Sequence, residues 1–139
     1  MAVTTSPIFV QTANAVPTTI TAGNASRDGS GALVTLITAG TNGTRVDSIT
    51  FINNAAAVGA SALKIVRVFL TDAAGANPQL ISEGSMTAVT SSATGVGATV
   101  TISYSGGLFI KSGQIIKVTQ SLCATSADNS AVWFMAADY

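Results

Sequence analysis

The chain has 139 residues, 47% of them hydrophobic, which suits one folded domain and excludes a disordered chain. Charged residues make up only 9%, six basic against six acidic, where an average soluble domain carries about 25%; a surface held apart from its neighbours by charge is thereby excluded. No apolar run approaches the roughly 18 residues of a membrane-spanning helix, so the expected explanation of the low charge is a surface covered by other subunits.

Residues 3–10 predict an extended arm, because Pro7 pushes Ser6 towards extended geometry and Ile8, Phe9 and Val10 need something to pack on. Residues 16–21 form a second, weaker extended piece. Arg27-Asp28-Gly29-Ser30-Gly31 is a turn cluster, followed by a strand over residues 32–38. Asn42-Gly43, inside the link 40–44, is a strong hairpin signal of the type I′ kind. Residues 45–53 are a strand, with Ile49 and Phe51 on one face and Ser48, Thr50 and Ile52 on the other. A small-residue loop spans 54–61. Residues 62–70 are apolar almost without a break, which predicts a central strand covered on both faces. A turn over 72–78 leads into a strand over 79–86.

Residues 87–97 are a loop. Residues 98–104 alternate, with Val100, Ile102 and Tyr104 inward and Thr99, Thr101 and Ser103 outward. Gly106-Gly107 turns the chain. Residues 114–122 are a strand, Ala127-Asp128-Asn129-Ser130 makes the last turn, and 132–137 close the domain. Apolar residues nowhere recur with helical spacing over several turns. Seven or eight short strands at regular spacing predict an all-β, single-domain antiparallel β-sandwich or jelly roll. The extended N-terminal arm takes residues 1–22 and the sandwich takes 23–139.

The residues exclude most chemistry. The chain has no histidine, which removes the commonest general base and metal ligand. No phosphate-binding glycine loop is present, since Gly23, Gly29 and Gly31 precede a strand rather than opening a helix. The carboxylates Asp28, Asp47, Asp72, Asp128 and Asp138 fall in turns or at strand ends, where aspartate caps its own backbone. Calcium at Asp28, or at Asp128 with Asn129, lacks a supporting ligand series. Glu83 lies within a strand and can face Lys64, Arg67 or Lys117. Arg67, set among apolar residues, is expected in a buried or interface ion pair, with Asp47 a plausible partner.

The scattered basic residues do not form a nucleic-acid patch. No catalytic residue, cofactor or metal site is expected. Cys123, the one cysteine, cannot form an internal disulfide and reads as a small buried residue. Trp133 and Phe134 can serve as core, subunit interface or a sugar-stacking platform. The first residues lack the basic and apolar regions of a secretory signal, so synthesis and assembly in a cytoplasm are expected. An outer-membrane barrel would want such a signal and aromatic girdles, whereas aromatics are 6%.

Several runs carry a resemblance. They are the opening Ala2-Val3-Thr4-Thr5-Ser6-Pro7-Ile8-Phe9-Val10-Gln11-Thr12, the Arg27-Asp28-Gly29 turn, and Leu33-Val34-Thr35-Leu36-Ile37-Thr38-Ala39-Gly40. Asn42-Gly43-Thr44-Arg45-Val46-Asp47, Val66-Arg67-Val68-Phe69-Leu70 and the closing Ala137-Asp138-Tyr139 complete them. In that order they resemble a family of small tailed-bacteriophage virion proteins, over most of the chain and least over 87–97. The resemblance implies a capsid decoration, or cement, protein on the outside of the shell. Such a protein is often a homotrimer and clamps neighbouring copies of the major capsid protein.

The implied interface residues are Val3, Ile8, Phe9 and Val10 of the arm, with Trp133 and Tyr139. No nucleic acid, membrane or small-molecule substrate is expected as a partner. The competing readings are a tail or fibre component and a carbohydrate-binding module using Trp133, Tyr104 or Tyr139.

Overall fold

The computed structural model describes residues 12–14, 16–54, 59–91 and 96–139. Among these, the β-branched stretches form eleven strands, because Val, Ile and Thr are stiff at χ1 and suit a pleated surface. They are β1 (Thr12–Asn14), β2 (Thr18–Ile20), β3 (Val34–Thr38), β4 (Thr44–Asn53), β5 (Gly59–Ala60) and β6 (Lys64–Thr71). After these come β7 (Gln79–Met86), β8 (Thr90–Ser91), β9 (Thr99–Ile110), β10 (Ile115–Gln120) and β11 (Ser130–Asp138). The described residues contain no α-helix, only a 3-10 turn at Ser126–Asp128. No helix among them is long and apolar enough to cross a membrane.

Two antiparallel sheets pack face to face as a β-sandwich. The first has the order β1-β11-β4-β9, with β2 also on β11; the second has the order β3-β10-β6-β7. A short β5-β8 ladder lies apart. The core sits between the sheets. Ile49 and Phe51 of β4 with Val132 and Phe134 of β11 face Val66 and Val68 of β6 and Ile116 and Val118 of β10. Each such side chain is buried for about 1.5–3 kcal/mol. Val100, Ile102 and Tyr104 of β9 pack against the same core, while Thr99, Thr101 and Ser103 are exposed. The expected alternation of β9 therefore holds, as does that of β4, where Ile52 is exposed.

β6 lies between β10 and β7 and is covered on both faces, as its apolar run predicts. Val66 and Val68 enter the core. Phe69 is fully buried on the other side, beneath the loop that carries Gly29.

The stretch containing β1 and β2 runs along β11. Thr12 pairs with Asp138 and Ile20 with Ser130, in one register either side of Pro17. Proline has no N–H to donate, so the ladder breaks there. Ile20 is fully buried in the core, so this part of the N-terminal region belongs to the sandwich. The expected arm over 3–10 lies outside the described residues.

Two turn expectations are corrected. Asn42-Gly43 turns the chain, with Gly43 N–H on Gly40 O at 3.0 Å, yet β3 and β4 sit in different sheets and form no hairpin. A type I′ turn needs positive φ at both central residues. Gly43 has φ 94°, but among the described non-glycines only Asn77 has a positive φ. Gly106-Gly107 does not reverse the chain. β9 continues through it and pairs with β4 on both sides, Ser103 with Ser48 and Leu108 with Val46. The two glycines, at φ 81° and 84°, absorb an irregularity in the ladder.

Candidate interaction surface

The sandwich has two outer faces. The second sheet's outer face is covered by the protein's own loop, residues 21–33. Asn24 pins that loop. Its side chain donates to Ser30 O at 2.6 Å and Ala32 O at 3.1 Å, and its backbone N–H donates to Gln120 O at 2.7 Å. Arg67, 6% exposed, donates from Nη1 to Asn24 O at 3.1 Å and lies 3.4 Å from Glu83. Arg27, on the loop, closes on the same carboxylate at 2.6 Å. Arg67 thus forms the buried ion pair expected of it, but with Glu83. Asp47 pairs with Arg45 instead, because β4 belongs to the other sheet. Glu83 takes Arg67 among its three expected partners.

The turns around this face are built by aspartates. Asp28 accepts the N–H and hydroxyl of Ser30, which holds its carboxyl below the usual range. Asp72 accepts from Ala76, Asn77 and Ala74, and is lowered likewise.

The first sheet's outer face has no such cover among the described residues. On β9 it presents Thr99, Thr101 and Ser103. On β4 it presents Ser48, Thr50 and Ile52, with Thr50 Oγ1 3.0 Å from Thr101 Oγ1. On β11 it presents Ala131, Trp133, Met135 and Ala137, each opposite an outward residue of β4. Ile52 is 36% exposed, Trp133 39%, Met135 55% and Phe109 62%. Among the described residues on this face, charge occurs only at its far end, as the Arg45–Asp47 pair at 2.8 Å. The hydrogen bond to Asp47 and then its charge raise the Arg45 pKa.

That end is also aromatic. Phe109 and Tyr139 stack with centroids 6.1 Å apart, and the Arg45 guanidinium lies 6.0 Å from the Phe109 ring centre. A Cβ on Gly107 would sit 2.5 Å from Arg45 Nε, so the glycine makes room for the arginine. A cleft of ≈ 330 Å³ opens beside Tyr139, Phe109, Lys111 and Asn42.

Of the expected interface residues, Trp133 and Tyr139 fall on this one face. Val3, Ile8, Phe9 and Val10 lie outside the described residues. Tyr104 points into the core, and Tyr139, just past the end of β11, is six residues and about 20 Å from Trp133. Trp133 and Phe134 do not form one platform, because Phe134 is buried in the core, and the three rings named as alternatives for sugar binding, Trp133, Tyr104 and Tyr139, are not brought together. Phe109 was missed by the sequence reading. Its signal was weak, because it follows Gly106-Gly107, where strand parity could not be carried across.

A polar cluster fills one end of the sandwich interior. Lys64, 1% exposed, donates to Asn53 Oδ1 at 3.1 Å and to the Asp128 carbonyl. Gln120 Nε2 donates to the same carbonyl at 2.8 Å. The Asp128 carboxylate accepts the N–H groups of Ala62 at 2.9 Å and of Ala124 and Thr125, each at 3.1 Å. Burial works to raise its pKa, but those donors and Lys64 outweigh burial and hold it low. Burial pushes the Lys64 pKa down, against the charge of the Asp128 carboxylate. Cys123 is half-buried rather than buried, with Sγ 3.3 Å from Asn129 Oδ1. Its loop after β10 leaves the sheet before the core closes over it.

Set against protein-family models, curated proteins and solved structures, the chain matches none.

Proposed function

We propose that this chain is a non-enzymatic structural protein of a tailed-phage virion, which decorates the capsid and bridges neighbouring capsid subunits. The observation that carries the reading is the outer face of the first sheet, whose charge among the described residues is confined to the Arg45–Asp47 pair at its far end. Hydroxyl and apolar groups can be buried against a partner without the desolvation cost of a charge. The face is about 33 Å long over the ten residues of β4 and about 19 Å wide over four strands. That is roughly 600 Å², short of the roughly 800 Å² per partner of a standard interface.

The remainder is assigned to the arm over residues 3–10, which adds to a neighbour's sheet edge through main-chain hydrogen bonds. A homotrimer of such subunits, assembled in the bacterial host cytoplasm, gains avidity from many weak contacts on one lattice. The family resemblance supplies the capsid exterior as the location.

Copy number in the purified virion tests the proposal, by quantitative mass spectrometry against the major capsid protein. A ratio near one, or a simple fraction set by three-fold positions, supports decoration of the shell. A handful of copies per particle moves the protein to the tail or a fibre, where the same face would serve. Absence from the particle removes the virion reading.

A further inference from the structure

β4 and β6 belong to different sheets, yet Asn53 at the end of β4 and Lys64 at the start of β6 meet inside the sandwich. Lys64 is 1% exposed and Asn53 6%. The Lys64 amine lies 3.1 Å from Asn53 Oδ1, and the Asp128 main-chain carbonyl holds it from another side. The amide carbon of Asn53 lies one C=O bond, about 1.2 Å, behind that oxygen. Nζ is therefore no more than about 4.3 Å from that carbon, close to the roughly 3–3.5 Å of a near-attack geometry.

The surroundings favour the nucleophilic form of the amine. A fully buried lysine is driven towards its neutral state, and its pKa is lowered here by burial. The Asp128 carboxylate does not displace Asn53 from the amine, because its oxygens are occupied by the N–H groups of Ala62, Ala124 and Thr125.

We propose that Lys64 and Asn53 form a self-modification site, condensing to an intramolecular isopeptide bond that ties the two sheets together. The Nζ lone pair adds to Asn53 Cγ, giving a tetrahedral adduct. The adduct collapses with cleavage of the Cγ–Nδ2 bond. A proton passes from Nζ to the departing nitrogen, which leaves as ammonia. One amide replaces another, so no oxidant, reductant or co-reactant is consumed. The product removes an amine that is costly to bury charged and closes a covalent loop between residues 53 and 64.

The test is denaturing mass spectrometry of the purified full chain, followed by tryptic digestion. The expected intact mass is the sequence mass less one ammonia. Trypsin then fails to cut after Lys64, and residues 46–67 appear as one fragment, also lighter by one ammonia. The Lys64→Met and Asn53→Ala variants are expected at their full sequence masses, whether folded or not. A wild-type chain at its full sequence mass overturns the proposal. So does loss of ammonia with normal cleavage after Lys64, which marks an asparagine succinimide instead.

Discussion

The two outer faces of the sandwich are built from the same kind of strand but finished differently. Over the second sheet the chain lays its own loop, so that Phe69 and Arg67 are buried and Arg67 meets Glu83 and the Asn24 carbonyl. Over the first sheet no described segment forms such a cover, and Trp133, Met135 and Ile52 are exposed on a field of Thr, Ser and Ala. The covered face carries charges whose partners are internal. The bare face carries almost none. The charges of the covered face are met by the fold itself, while the outer face of the first sheet carries, among the described residues, only the exposed Arg45–Asp47 pair.

The largest expected effect breaks the covered face. Arg67→Ala removes the buried guanidinium that holds the Asn24 carbonyl and opens the seat of the loop, at a cost of about 2–3 kcal/mol in stability, since Glu83 keeps Arg27 as a partner. The urea midpoint measures it. Met135→Asp should do the opposite kind of damage. It leaves the isolated fold within about 0.5 kcal/mol but weakens assembly by about 2 kcal/mol or more, the scale of an interface hot spot. Sedimentation and particle binding, read beside the urea midpoint, separate the two effects. If Met135→Asp unfolds the chain and leaves assembly intact, the contrast between the faces is wrong.

Gly84→Ala tests the side where the sheets close on each other. The new Cβ would meet Val100 Cγ1 at 2.8 Å, and the expected loss is about 1–3 kcal/mol from overpacking. A graded effect is expected in acid. Asp28, Asp72 and Asp128 all have folded-state pKa values below the ordinary range. Their contribution is present above the unfolded value of about 3.9 and is lost as pH falls through the folded values, where the folded state must also take up the proton. The urea midpoint should fall between pH 7 and pH 3; an unchanged midpoint would contradict the assigned hydrogen bonds. Arg45→Ala should be the mildest change, under about 1 kcal/mol, because its pair with Asp47 is exposed.

Much of this was legible in the sequence because it is local. The period of two in β9 and β4 fixed which residues face inward, and the unbroken apolar run of β6 marked a strand covered on both sides. What could not be read was pairing between distant segments. Asn42-Gly43 has hairpin chemistry, yet its strands enter different sheets. Gly106-Gly107 has turn chemistry, yet β4 pairs across it. Arg67 could be assigned a buried role and Glu83 offered among its candidate partners, but the choice between Glu83 and Asp47 was open, since Glu83 becomes adjacent only once β7 pairs with β6. Lys64 read as one candidate partner of Glu83. Its burial follows from the turn after Thr125, which brings Asp128 over the end of the core.

If the chain works as proposed, the outer face of the first sheet is covered in the assembled state. Hydroxyl-radical footprinting with residue-level mass spectrometry tests it most directly, because Trp133 and Met135 are both readily oxidised and both lie on that face. Both are expected to react quickly in the isolated chain and to be protected in the purified particle. Equal oxidation of Trp133 and Met135 in the free and particle-bound protein would contradict it.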